Sequence, residues 1–314
     1  MGGAAPHVTT RGAVAGATLV VAAASILAWA LAYPQASLTV TLVRAVSVCA
    51  GVVTLGLAAV PMLDASRHRA EVIQRAATPL ATVAAVWLVA ELTRLVVAAA
   101  HTAGVGVRAL GVATVADFVA ATTAGRSGLV ALAAAAVVVV GALAAPHAVS
   151  TVAVLSGVAA IGVVARPLTG HFAHSALGGL AVAVHMLAAA LWCGVLAALV
   201  LTVTHRGQWA RMLPGFSALS LGCVLALVAA GTFGAVVRLD SAADLWSTGY
   251  GRVLAAKIVV TVALVVLGWR NRTMWLPAAR SHRATADVSR SRSMVELTLM
   301  AVALALAAGL AVTG

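Results

Sequence analysis

The chain has 314 residues, of which 63% are hydrophobic and 9% charged, with a mean hydropathy of +1.08. Soluble domains carry roughly 25% charged residues, so this composition excludes an ordinary soluble protein and predicts an all-α, polytopic bundle of transmembrane helices in a lipid bilayer. The net charge of +12 does not point to nucleic acid, because the arginines fall mainly in short connections between apolar runs, where they set membrane orientation.

The first apolar run, residues 13–33, follows Arg11 and is longer than the apolar stretch of a cleaved signal peptide, so it reads as a retained signal-anchor helix. A second run, 38–60, follows Pro34 almost at once and predicts a helical hairpin; Arg44 within it lies near enough to the end to snorkel outward. The connection 61–78 carries Arg67, Arg69 and Arg75 against Asp64 and Glu71 and is assigned to the cytoplasm. The third span, 79–100, holds Glu91 and Arg94 on adjacent turns, the spacing of an intramembrane ion pair. A long connection, 101–127, contains a short apolar piece at 115–121 that predicts a half-helix in the outer interface.

Spans 128–145 and 149–165 are separated only by residues 146–148, and Arg166 with Pro167 then breaks the chain. The run 170–200 carries three of the nine histidines, His171, His174 and His185. At ~100° per residue, His174 and His185 are about 20° apart and His171 and His185 about 40°, so all three share one helix face. His185 lies roughly 16 Å further along the axis than His174, near mid-membrane if the other two are interfacial. That is a way in for a metal ion or a proton. A single helical histidine is more commonly a packing residue, and three on one stripe shift the balance toward ligand function.

The connection 204–214, with His205, Arg206 and Arg211, is assigned inside, and the span 216–237 has Gly222, Gly231 and Gly234 for close helix packing. The connection 238–251 is nearly charge-balanced and holds the interfacial aromatics Trp246 and Tyr250. Lys257 sits about 8 Å into the span 252–269, close enough to snorkel. The connection 270–292 is the most basic, with Arg270, Arg272, Arg280, Arg283, Arg290 and Arg292, and the last span, 294–312, begins with Glu296 near that face. The sum is nine spans with the amino terminus inside and the carboxyl terminus outside, which places the His171 end outside. Cys49, Cys193 and Cys223 lie in apolar runs without C-x-x-C spacing, which excludes a disulfide framework and a zinc site of that kind; Cys193 as a soft metal ligand is a minority reading. No nucleotide-binding loop, H-E-x-x-H or G-x-S-x-G motif occurs, so an enzyme is not expected.

The block HMLAAALWCGVL, with His185, Trp192 and Gly194, and the later block TGYGRVLAAKIVVTVALVVLGWRNR resemble the CopD family of copper resistance or import membrane proteins. The family pattern is a histidine followed by small residues and W-x-G-G-L, then Y-G-R-x-L-x-x-K and an N-R pair after the next span. Tyr250, Gly251, Arg252, Leu254, Lys257, Asn271 and Arg272 match, whereas Cys193-Gly194-Val195 lacks the second glycine. The likeness is specific over 170–314 and extends to the first half only in span number, which suggests an N-terminal five-helix segment, 1–166, and a four-helix CopD-like core, 167–314.

The resemblance implies copper handling in a bacterial inner membrane, beside a periplasmic CopC-like copper-binding partner; CopD-like halves also occur fused to a CtaG-like oxidase assembly domain, which this chain is read as lacking. Copper chemistry suits the residues, since neutral imidazole binds copper in either oxidation state and thiolate or thioether favours Cu(I). His171, His174 and His185, with Cys193 rotated about 80° from His185, then form graded sites for a copper ion. The groups that would complete them are His101 and Asp240 outside, and Glu91 or Cys223 deeper. Trp192, Tyr250, Arg252 and Lys257 are supporting residues, the last three organising the outer end of their helix near the histidines, because protonated Lys and Arg have no lone pair for a metal. Two rivals stand beside copper transport. One is a scaffold passing copper to a respiratory oxidase. The other is a haem-binding cytochrome, which needs histidines on facing helices that the last three spans do not supply.

Overall fold

The computed structural model describes residues 10–33, 37–144, 149–169, 176–238, 244–281 and 285–313. Among them the chain is helical, with no strand. The order is α1 (Thr10–Ala32), α2 (Leu38–Ala59) with a 3₁₀ turn (Val60–Leu63), α3 (Ser66–Ala103), α4 (Val112–Ala121), α5 (Thr123–Ala144) and α6 (Val149–Ala165) with a 3₁₀ turn (Pro167–Thr169). Then follow α7 (Ala176–Thr202), α8 (Arg206–Arg238), α9 (Asp244–Ser247) and α10 (Gly249–Arg270), which runs through a π-helical turn (Asn271–Trp275) into α11 (Leu276–Arg280), and finally α12 (Ala286–Thr313). Each of the nine expected spans coincides with one helix. Seven of these helices are long and apolar enough to cross a membrane; the apolar parts of α1 (Thr18–Ala32) and α6 (Ser150–Ala165) are shorter.

The basic connections differ from expectation. Residues 61–78, 204–214 and 270–292 read as loops, yet α3 starts at Ser66 and passes through Pro79, and α8 starts at Arg206 and passes through Pro214. Arginine, alanine, leucine and glutamine are strong helix formers, and membrane helices tolerate an internal proline because neighbouring groups compensate the missing N–H. The basic segments therefore extend the spans rather than link them. They also meet at one end of the bundle. Arg75 Nη1 donates to Gln208 Oε1 at 2.8 Å, Arg211 Nη2 reaches Asp64 Oδ2 at 3.2 Å, and Trp209 packs on Trp275 with ring centroids 6.4 Å apart.

The most enclosed spans are α2 and α7. They cross where Gly56 meets Gly194, and a methyl group on either would overlap the backbone of the other helix. Gly194, the glycine of the W-x-G block, is thus a packing requirement, the small-residue contact by which membrane helices approach closely. At the end opposite the basic one, Arg44 does move toward its helix end as expected, and Nη1 donates to the Ala311 carbonyl in the last turn of α12. A cation there complements the helix dipole. The expected half-helix is α4, whose Phe118 packs against Leu95 and Ala99 of α3.

Candidate functional site

His171 and His174 lie outside the described residues, so the outer part of the histidine stripe cannot be placed beside His185. His185 stands nine residues into α7 and Lys257 eight residues into α10, which by helical rise is about 12–14 Å from the helix starts in both cases. The two are electrostatic neighbours. The imidazole is turned toward α8: Cε1 and Nδ1 lie 3.5 and 3.8 Å from where a Cβ on Gly231 would stand, and the ring lies near the backbone of Leu227. A neutral imidazole has one donor and one acceptor nitrogen, so a ring whose N–H meets backbone keeps the other nitrogen as a ligand. Gly231 is therefore the seat of the ring. Gly222 and Gly234, expected to help pack this helix, have nothing within 4 Å of a Cβ position.

Two turns further along α7, Cys193 faces a different set of helices. It is buried, and its neighbours are Cys49 of α2, Cys223 of α8 and Glu296 of α12. All three cysteines are free thiols. The fold thus gathers three cysteines whose spacing in the chain shows no relation. Among the described residues no group of three or more His, Cys, Asp or Glu converges on a common metal position. A copper ion on His185 would need further ligands to complete its shell.

Beyond Cys193, toward the basic end, a cavity of about 110 Å³ opens between α7, α8, α12 and the π turn. Its polar wall is Trp192, Ser217, Ser220, Asn271, Arg272 and Glu296. Asn271 Nδ2 donates to Glu296 Oε2 at 2.9 Å, and the indole N–H of Trp192 is turned toward the same carboxylate without closing a hydrogen bond of good geometry. Arg272 Nη1 donates to the carbonyl and hydroxyl of Ser217 at 2.8 and 2.9 Å, which ties the π turn to α8. The motif residues Trp192, Asn271 and Arg272 therefore belong to one cavity. The spacing in the chain does not reveal this, although Glu296, a lone acid in an apolar run, was a visible signal.

Glu91 forms the expected pair with Arg94, Nη1 to Oε1 at 3.0 Å, and gains a second guanidinium, Arg166 Nε to Oε2 at 2.6 Å. The Ser47 hydroxyl also donates to Oε1 and accepts from Arg94 at 3.0 Å. Gly128 makes room, since a Cβ there would stand 2.8 Å from Arg166 Nη2. This corrects the expectation that Glu91 completes a deep metal site. Its oxygens are occupied by cations, and His185 has other neighbours. Arg166 read as a chain breaker because its partner is 75 residues away.

Tyr250 and Arg252 stand at the start of α10 and pack against α1 and α12 rather than against the histidine helix. Arg252 Nε donates to the Leu31 carbonyl at 3.1 Å, and Tyr250 packs with Ala28, Ala32 and Leu306. Lys257 alone of the three is an electrostatic neighbour of His185. Thr248 caps α10 by accepting from Gly251 N–H at 2.9 Å, which accounts for the motif glycine as a cap neighbour. His101 is exposed at the end of α3, and Asp240 lies outside the described residues.

Two family models match the chain. Residues 210–310 match copper resistance protein D (CopD), and residues 34–179 match the copper resistance protein D-like, N-terminal domain. The first includes Tyr250, Arg252, Lys257, Asn271 and Glu296; the second includes Glu91, Arg94 and Arg166, in the half whose likeness in sequence rested on span number. The block with His185, Trp192 and Gly194 falls between the two matches. No curated protein and no solved structure matches the chain.

Proposed function

The chain belongs to the CopD family of copper resistance membrane proteins, and from that premise we propose that it conducts copper ions across the bilayer along the histidine face of α7, as a permease rather than an enzyme. The observation that carries this reading is His185: an imidazole within the bundle, seated over Gly231 and near the Leu227 backbone. A backbone partner on one nitrogen is how proteins orient a metal-binding histidine. His171 and His174 capture the ion at the outer mouth and His185 relays it inward. Lys257 does not ligate; a nearby cation instead raises the cost of a resting metal ion at His185 and favours passage over storage.

In this reading the basic end is cytoplasmic, the membrane is a bacterial inner membrane, and the outer mouth receives copper from a CopC-like protein. A scaffold that hands copper to an oxidase, with a CtaG-like partner, would need only the outer histidines. Haem binding would need a second histidine facing His185, and the described neighbours of its ring include Gly231 of α8 and Lys257 of α10.

The test is copper uptake into proteoliposomes containing the parent protein, His171→Ala, His174→Ala or His185→Ala. The outer variants are expected to weaken capture and keep part of the flux, whereas His185→Ala blocks flux and keeps surface binding. Parent-like flux in all three overturns the proposal. Loss in the outer pair alone demotes His185 to a packing residue. Cysteine labelling at Ser281 and Thr169 in intact cells checks the orientation, and reaction at Ser281 without reaction at Thr169 reverses it.

A further inference from the structure

Glu296 is 3% exposed, and its described hydrogen-bond partner is a neutral amide, Asn271 Nδ2 at 2.9 Å. The four ion pairs among the described residues involve Glu71, Glu91 and Asp64, not Glu296. A carboxylate buried in a membrane bundle without a bound counter-charge is costly and, where it occurs, functional. It is relieved by a proton or by a metal cation.

The cavity discriminates between these two. Hard cations need six or more oxygen ligands, or an octahedral shell of water and carboxylate. Here the carbonyl and hydroxyl of Ser217 are both engaged by Arg272, and the Ser220 hydroxyl donates to that same carbonyl at 3.1 Å. What remains for a cation is Glu296 itself and the Asn271 carbonyl oxygen. Soft Cu(I) is not matched by amide and carboxylate oxygens. A proton requires one oxygen and no shell. The cavity of about 110 Å³ is large enough for several waters to bring it, and the π turn beside it is an irregularity of a kind that concentrates at functional sites.

We propose that Glu296 is an intramembrane proton-binding site, loaded and unloaded through the cavity between α7, α8, α12 and the π turn. A hydronium ion in the cavity transfers its proton to a carboxylate oxygen, forming one O–H bond and leaving water; the reverse step returns it, with no change of oxidation state. The groups that face this site are few. Arg272 lines the same cavity from the π turn, Cys193 is the titratable neighbour on α7, and α8 contributes the neutral Ser217 and Ser220. Cys49 of α2 and Cys223 of α8 are neighbours of Cys193, and Arg292, one turn before Glu296 on α12, is exposed; Asp64, after the 3₁₀ turn, is held by Arg211, Arg44 of α2 lies at the opposite end with Ala311, Lys257 of α10 is the neighbour of His185, and Tyr33 follows the end of α1. Asn271 Nδ2 donates to the charged form and, with the proton on the other oxygen, to the carbonyl oxygen of the neutral form. The site stands independently of copper conduction.

The experiment is pH-difference infrared spectroscopy of the full chain in lipid nanodiscs. Acidification of the parent is expected to produce a protonated-carboxyl band that disappears in Glu296→Gln. In Asn271→Ala the band persists at a shifted frequency, because the carboxyl has lost its amide partner. Identical difference spectra in parent and Glu296→Gln overturn the proposal, as does a Glu296 signal that responds to sodium or potassium at constant pH. If Glu296→Gln does not fold, Asn271→Ala decides: an unshifted frequency overturns the assignment. Failure of copper conduction in every protein leaves this spectrum unaffected, so the two proposals fall separately.

Discussion

The molecule buries two glutamates to nearly the same degree, Glu91 at 2% and Glu296 at 3% exposure, and surrounds them in opposite ways. Glu91 meets two guanidinium groups and a hydroxyl drawn from α2, α3 and the turn after α6. Glu296 meets an amide, an indole edge and a cavity. A carboxylate fully satisfied by fixed cations is a fastener between helices, since removing any partner strands a charge. A carboxylate with neutral donors and space beside it can exchange what neutralises it. Burial alone does not separate the two roles; the charge and freedom of the neighbours do.

The largest effect should come from breaking the fastener. Glu91→Ala leaves Arg94 and Arg166 without their shared anion, and loss of one partner of a buried pair costs about 3–5 kcal/mol, read as a lower unfolding temperature and a reduced folded yield in detergent. Adding Arg94→Gln to Glu91→Gln should recover part of that loss, because fewer stranded charges remain. Next is the crossing at the centre of the bundle. Gly194→Ala forces α2 and α7 apart, and overpacking of this kind costs about 1–3 kcal/mol by the same unfolding assay.

Glu296→Gln should be smaller in stability. The amide oxygen still accepts from Asn271, so the change is expected below about 1 kcal/mol, even as the proton signal disappears. A loss as large as that of Glu91→Ala would show that Glu296 is a fastener too. Least of all, Gly231→Ala puts a methyl at ordinary contact distance, 3.5 Å, from the His185 ring. Its stability should stay within about 0.5 kcal/mol, while copper flux falls if the seat of the imidazole matters.

Much of this was legible in the chain. Apolar runs long enough for a bilayer predicted each helix, because hydrophobic length is a local property. The Glu91–Arg94 pair was legible for the same reason, being three residues apart on one helix. The Y-G-R block does sit at the start of α10, but it meets α1 and α12 where the histidine helix was expected. The basic connections misread as loops failed on a different ground: polarity marks where a helix leaves the membrane, not where it ends.

What the sequence by itself determined was the all-α membrane class and the apolar stretch of each span, set by periodicity and hydrophobicity within one segment. The tertiary structure alone decided partnership. Arg166 reaches Glu91 across 75 residues, Asn271 reaches Glu296 across 25, and Gly194 meets Gly56 on another helix altogether. The azimuth at which one helix faces another depends on packing every span at once, so no local pattern carries it, and it is that azimuth which makes one buried glutamate a lock and the other an open site.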